Sequence, residues 1–206
     1  VTLCLQGRQL GCERDDRWLF SGLDIEINHG EILRVTGPNG SGKTTLLKIL
    51  AGQLNDFSGA LHWNGQPLSQ VSEQFAANML YLGHAPGVSA WLTPLENLAW
   101  YQALQGERGS EEQREAALAR MGLQGLEDTP IGHLSAGQQR RVALTRLSLT
   151  PRALWVLDEP FTAIDQAGVD ALEAQLAAHA DAGGAVVVTT HHALNNARPL
   201  CHIALG

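Results

Sequence analysis

Residues Gly37-Pro38-Asn39-Gly40-Ser41-Gly42-Lys43-Thr44 fit the pattern G-x-x-x-x-G-K-[ST], with Thr45 directly after it. Glycines at these positions let the backbone curl until successive N–H groups point inward, a cradle for phosphate oxygens. A helix starting near Thr44 would add the positive end of its dipole to the same point. In such a loop Lys43 reaches the β- and γ-phosphates of a nucleoside triphosphate, and the Thr44 hydroxyl coordinates Mg²⁺. A second pair, Asp158-Glu159, closes the apolar run Leu154-Trp155-Val156-Leu157. A buried strand ending in two carboxylates delivers them to the C-terminal edge of a parallel sheet, where ligands bind. Asp158 is then suited to hold Mg²⁺ through water, and Glu159 to act as general base on the attacking water. Without the phosphate loop, the same pair would read as a helix cap and its neighbour.

Leu134-Ser135-Ala136-Gly137-Gln138 is the third element that could do chemistry, and it precedes a predicted helix Gln139–Leu149 with arginines at 140, 141 and 146. Small residues at a helix N-terminus make a second anion cradle, although a plain capped helix gives the same pattern.

The elements that must carry these residues follow from periodicity. Leu23–Asn28 alternates apolar and polar residues, as a half-buried strand does. Ile32–Thr36, Leu154–Leu157 and Ala185–Thr190 are continuous apolar runs that suit central parallel strands covered on both faces. From Thr44 to Ala51 a helix is predicted, stopped by Gly52. Between Leu92 and Leu149 helix signals dominate, among them a Ser110/Gln113 capping box ahead of a helix Glu115–Met121 that Gly122 ends. Gln166–Asp181 reads as a further helix, with Asp165 as its N-cap. The fold class expected is α/β, a phosphate-loop NTPase core with a parallel central sheet, an antiparallel β portion near the N-terminus and a helical subdomain. One domain is expected over residues 1–206, its core at 1–84 and 151–206 and its helical subdomain at about 85–150.

Composition bounds the rest. The 206 residues carry a formal charge of −7 with 44% hydrophobic and 17% charged residues, the balance of a globular chain with a real core. An acidic surface argues against nucleic acid as partner. Cys4, Cys12 and Cys201 have no metal-ligand spacing and read as small buried hydrophobes. The scattered odd count, without a signal-peptide pattern, points to the reducing cytosol. No apolar run approaches the ~18 residues that would cross a bilayer, so a membrane role would need a membrane partner.

At Leu134–Gln138 the sequence resembles the ABC ATPase family, whose signature is Leu-Ser-Gly-Gly-Gln, and its motifs occur here in the family's order from about Val1 to the last strand. The resemblance implies that Ser135, Ala136, Gly137 and Gln138 bind the γ-phosphate held by a second copy of the chain, sandwiching ATP and Mg²⁺ between two subunits. Ala136 stands where the family has glycine. The resemblance further implies a dimer-contact loop at Phe161–Asp165, with Asp165 as the contact, and a switch histidine at His191, catalytic together with Lys43 and Glu159; His192 reads as a bystander. The family's sensor-loop glutamine, a ligand of Mg²⁺ or its water, maps to His84. Where the family stacks an aromatic on adenine the count lands on Arg14, with Trp18 and Phe20 nearby. Cys12–Leu23, Leu82–Gly87, Leu134–Arg141 and Phe161–Asp165 together look like the ATP-binding subunits of bacterial cytochrome c maturation systems. That resemblance implies a peripheral location on the cytoplasmic face of the inner membrane, membrane partners CcmB, CcmC and CcmD, and an indirect dealing with haem through release of a haem chaperone. No Cys-x-x-Cys-His haem attachment motif is present. The segment His84–Trp91, with Pro86, Gly87 and Val88, offers an apolar patch for a membrane subunit's cytoplasmic helix. The alternatives are the ATPase of a lipid or drug exporter, a soluble ABC ATPase, and a phosphate-loop kinase, against which Ser135–Gln138 argues.

Overall fold

A computed structural model describes residues 3–194 and 200–206. The chain divides into two compact units, one of Val1–Tyr81, Arg152–Glu159 and Leu176–Gly206, the other of Leu82–Pro151 and Pro160–Gln175.

In the first unit, β1 (Leu3–Arg14) and β2 (Arg17–Asn28) form a long antiparallel hairpin, and β4 (Ser58–Trp63) pairs antiparallel with β1 and with the short β5 (Gln66–Pro67). Asp15 and Asp16 make the hairpin turn with φ of 51° and 58°, the left-handed conformation that such tight turns need and aspartate tolerates. The predicted strand Leu23–Asn28 is therefore only the second half of a 12-residue strand. A second sheet has the order β6-β7-β8-β3-β9, formed by β6 (Met79–Leu82), β7 (Leu154–Asp158), β8 (Ala185–Thr189), β3 (Ile32–Thr36) and β9 (Leu200–Ala204). β3 runs parallel to both β8 and β9, and β7 parallel to β8. Every residue of β7 and β8 is buried, which is why both read as unbroken apolar runs.

Helix α1 (Lys43–Leu50) buries Leu46, Leu47, Ile49 and Leu50 in the core between the sheets, with Ile25, Ile27, Val35, Val156 and Val187. It starts one residue before the predicted Thr44, because Gly42 caps it. The core also takes in Cys4, where burial pushes the thiol up to about 12. Cys12 is buried as well, whereas Cys201 is partly exposed and its thiol is raised by burial and then by neighbouring Glu31. Helix α2 (Ser72–Asn78) buries Phe75, whose ring meets Trp63 edge-on at 5.3 Å.

The second unit is helical: α3 (Pro94–Leu104), α4 (Glu111–Arg120), α5 (Ala136–Leu149) and the first turns of α6 (Gln166–Asp181). Three starts carry complete capping boxes, Thr93/Glu96, Ser110/Gln113 and Ser135/Gln138. The boxes correct two sequence expectations. α4 begins at Glu111 instead of Glu115, and α5 at Ala136 instead of Gln139, because the residue after a cap is already helical. Met121 is the C-cap of α4, and Gly122 follows with φ 67°. No helix among the described residues is long and apolar enough to cross a membrane.

Candidate functional site

The phosphate loop joins the end of β3 to α1. Gly42 is the N-cap of α1 at φ 92°, and a Cβ there would come within 3.0 Å of Leu19 and 3.2 Å of the Phe20 ring. Glycine is required on both counts. Lys43 bends back so that Nζ donates to the carbonyls of Gly37 (2.8 Å) and Pro38 (3.0 Å). Its ammonium thus sits inside the loop that its own helix begins. The Ser41 hydroxyl is buried and has no hydrogen-bond partner among the described residues.

β7 and β8 bring the carboxylates to this loop. Asp158, 1% exposed, accepts from the Thr44 hydroxyl on Oδ2 (2.8 Å) and from the Thr189 hydroxyl on Oδ1 (2.7 Å). Glu159 follows at φ 47°, and its N–H donates to the Thr189 hydroxyl (2.9 Å) and, more weakly, to the Thr189 carbonyl (3.2 Å). Glu159 Oε1 lies 3.8 Å from Nε2 of His191, whose side chain is 68% exposed. The Arg34 guanidinium on β3 donates to the carbonyls of Thr190 (3.4 Å) and His191 (3.3 Å), fixing the two residues that follow β8. Gly37–Thr45, Asp158, Glu159 and His191 are thereby gathered at one end of the sheet, the C-terminal end of β3, β7 and β8. A hydroxyl and a carboxylate 2.8 Å apart are the hard oxygen donors that Mg²⁺ takes, so Thr44 and Asp158 fit that ion.

A cavity of about 240 Å³ adjoins the loop, lined by Arg17, Trp18, Leu19, Pro38, Asn39, Gly40, Ser41 and Gly206. Of the three residues considered for adenine, only Trp18 lines it. Arg14 is drawn to Asp56 (2.7 Å), and Phe20 is buried beneath Gly42.

In the second unit, Ser135 caps α5: its hydroxyl accepts from Gln138 N–H (3.2 Å), and Gln138 Oε1 accepts from Ser135 N–H (2.8 Å). A Cβ on Gly137 would lie 2.3 Å from the Ala163 carbonyl oxygen, so glycine alone admits the turn that Ala163 makes at φ 64°. Ala136 is exposed and free of that constraint. Asp165 caps α6, accepting from Gly168 N–H (2.9 Å), and pairs at 3.6 Å with Arg141. The His84 side chain is exposed, and the Arg140 guanidinium holds the carbonyls of Gly83 (2.8 Å) and His84 (3.1 Å). His84 belongs to the second unit, Thr44 and Asp158 to the first. Trp91 is 92% exposed. Tyr101, which donates its hydroxyl proton to the Gly87 carbonyl, lies under the Arg146 guanidinium at 3.6 Å.

Thr189 and Arg34 are the site residues that sequence reasoning missed. Two threonines closing the otherwise apolar run Ala185–Val188 were the available signal, since a polar residue buried in a strand needs a partner.

Comparison with known proteins identifies the family and the fold. The ABC transporter family profile matches residues 20–162. The cytochrome c biogenesis ATP-binding export protein CcmA of Escherichia coli K12 is 52% identical over 191 residues, 93% of this chain and 90% of that protein. An ABC transporter ATP-binding protein from Pyrococcus furiosus superposes with a TM-score of 0.84 at 25% identity, covering 98% of this chain and 96% of that one. A dimeric post-hydrolysis ATP-binding cassette bound to ADP and Pi shares the fold, with a TM-score of 0.81 at 20% identity over 98% and 96% of the two chains. With its family profile and a relative that shares half its residues along nearly its whole length, this chain belongs to the ABC transporter family, in the group that the CcmA proteins represent.

Proposed function

We propose that the chain binds and hydrolyses ATP as the nucleotide-binding subunit of a membrane complex serving cytochrome c biogenesis. The observation that carries this reading is the 52% identity with CcmA over 93% of the chain. In this reading residues 37–45 wrap the triphosphate, Lys43 neutralises the β- and γ-phosphates, and Trp18 offers the adenine a ring beside the loop. Thr44 and Asp158 hold Mg²⁺. When bound, that ion neutralises charge on the phosphates. Glu159 takes the proton of the attacking water, and His191, within reach of Glu159, contacts the γ-phosphate. Because ATP hydrolysis has little covalent chemistry for a protein to perform, positioning and electrostatics supply the catalysis.

Ser135, Ala136, Gly137 and Gln138 present the N-terminus of α5 to the ATP of a second copy, with Asp165 at the contact loop. The dimeric cassette bound to ADP and Pi supports such an assembly. Membrane subunits of the CcmB, CcmC and CcmD kind would receive the exposed Trp91 and its neighbours Pro86, Gly87 and Val88, holding the chain at the cytoplasmic face of the inner membrane. Haem enters only through those partners and the chaperone they release. The test is to solubilise native membranes, capture the complex through this chain, and identify its subunits and any bound chromophore. Lipid- or drug-exporter subunits in their place would overturn the pathway while leaving the ATPase. Trp91→Glu should reduce capture of the membrane subunits more than it reduces ATP binding.

A further inference from the structure

We propose that Thr189 is a positioning residue for hydrolysis, its hydroxyl setting the direction of the Asp158 carboxylate and the backbone turn at Glu159. The inference rests on the ATPase reading above.

Thr189 is the last residue of β8 and is fully buried. Its hydroxyl has one proton to give and lone pairs to accept with. The proton goes to Asp158 Oδ1 (2.7 Å), and a lone pair receives Glu159 N–H (2.9 Å). A single side chain on one strand therefore addresses two consecutive acidic residues at the end of its neighbour. Asp158 Oδ2 is held from the other side by Thr44 (2.8 Å). The carboxylate is pinned at both oxygens, one by the helix of the phosphate loop and one by β8, and rotating it breaks one of the two bonds.

The bond to Glu159 matters for a different reason. Glu159 has φ 47°, a left-handed conformation that a non-glycine residue keeps only where its surroundings hold it. Thr189 holds it with both its hydroxyl and its carbonyl. That conformation turns the Glu159 side chain toward His191. Packing does not call for threonine here: Val186, Val187 and Val188 fill the same strand with the same branched shape. The hydroxyl is what distinguishes position 189, and its two bonds go to the Asp158 carboxylate and the Glu159 backbone N–H.

Valine is isosteric with threonine and lacks only the hydroxyl, whereas serine keeps the hydroxyl and loses a methyl. The experiment compares wild type, Thr189→Val, Thr189→Ser and Glu159→Gln in the assembled membrane complex, measuring ATPase kcat and KM, with ATP binding and Tm of each purified full chain. The expected result is a kcat at least about 10-fold lower in Thr189→Val, as sub-ångström misplacement of reacting groups brings, with ATP affinity within about 3-fold of wild type. Thr189→Ser should keep most of the rate. Should Thr189→Val not fold, Thr189→Ala carries the same comparison with Thr189→Ser. Wild-type kcat in Thr189→Val overturns the proposal, as does an equal loss in the valine and serine variants, which would mark a packing role. A loss of ATP affinity parallel to the loss of kcat also overturns it. In those three cases wild-type activity that Glu159→Gln removes leaves the ATPase reading standing. A wild-type complex without ATPase activity overturns both.

Discussion

Lys43 donates to two backbone carbonyls of its own loop, bonds that phosphate oxygens can replace without moving the helix behind it. Its side chain contributes charge to the site and little to the core. Lys43→Ala should therefore abolish ATPase activity while Tm changes by no more than about 2 °C, measured on the same preparation. His179 is the opposite kind of residue. Its ring stacks on Trp155 at 3.7 Å and 6°, and desolvation pushes its pKa down to about 4, against backbone hydrogen bonds that raise it. A histidine kept neutral by the fold binds its proton more readily when unfolded. Its contribution is thus whole above the unfolded value of ~6.5 and is lost as pH falls from there toward 4. Thermal melts should show a lower Tm at pH 5 than at pH 7.5, and His179→Gln should flatten that slope. A slope unchanged in His179→Gln would assign the acid sensitivity elsewhere.

At the scale of elements, the start of α5 explains which letters of the signature are replaceable. Gly137 faces the Ala163 carbonyl with no room for a methyl, whereas Ala136 points to solvent. Ala136→Gly should keep ATPase activity and cost at most about 1 kcal/mol of stability, the helix penalty of glycine. Gly137→Ala must displace the turn that leads into Asp165 and α6. Its ATPase activity should fall at least about 10-fold in the assembled complex, and its denaturation midpoint should drop as well. Equal tolerance at both positions would show that the close approach to Ala163 is relieved at no cost.

For the whole molecule, the proposed sandwich makes activity a property of two copies. One chain carries Lys43, Asp158 and Glu159, and the signature it needs comes from another. The isolated chain should elute as a monomer with little turnover. Glu159→Gln, which keeps the binding residues and removes the base, should slow hydrolysis and trap an MgATP-dependent dimer on size-exclusion chromatography. A variant that stays monomeric with MgATP at high protein concentration would count against the sandwich.

How much of this was legible in the sequence depends on how local each feature is. The glycine-rich loop before α1, the carboxylates at the end of β7 and the cap of α6 involve residues within a turn of one another, so spacing alone pointed to them. The buried strands were legible because full burial on both faces removes polar residues from β7 and β8. The register that sets Thr189 opposite Asp158 joins residues 31 positions apart, and no local rule specifies it. Nor does spacing tell that Asp56 claims Arg14, that Phe20 is buried while Trp18 lines the cavity, or that Ala163 leaves position 137 no room for a side chain. These were decided by tertiary packing, because each depends on which distant backbone arrives at the same few ångströms. Sequence by itself determined the chemical parts; the pairing of β7 with β8 determined how two of them are aimed.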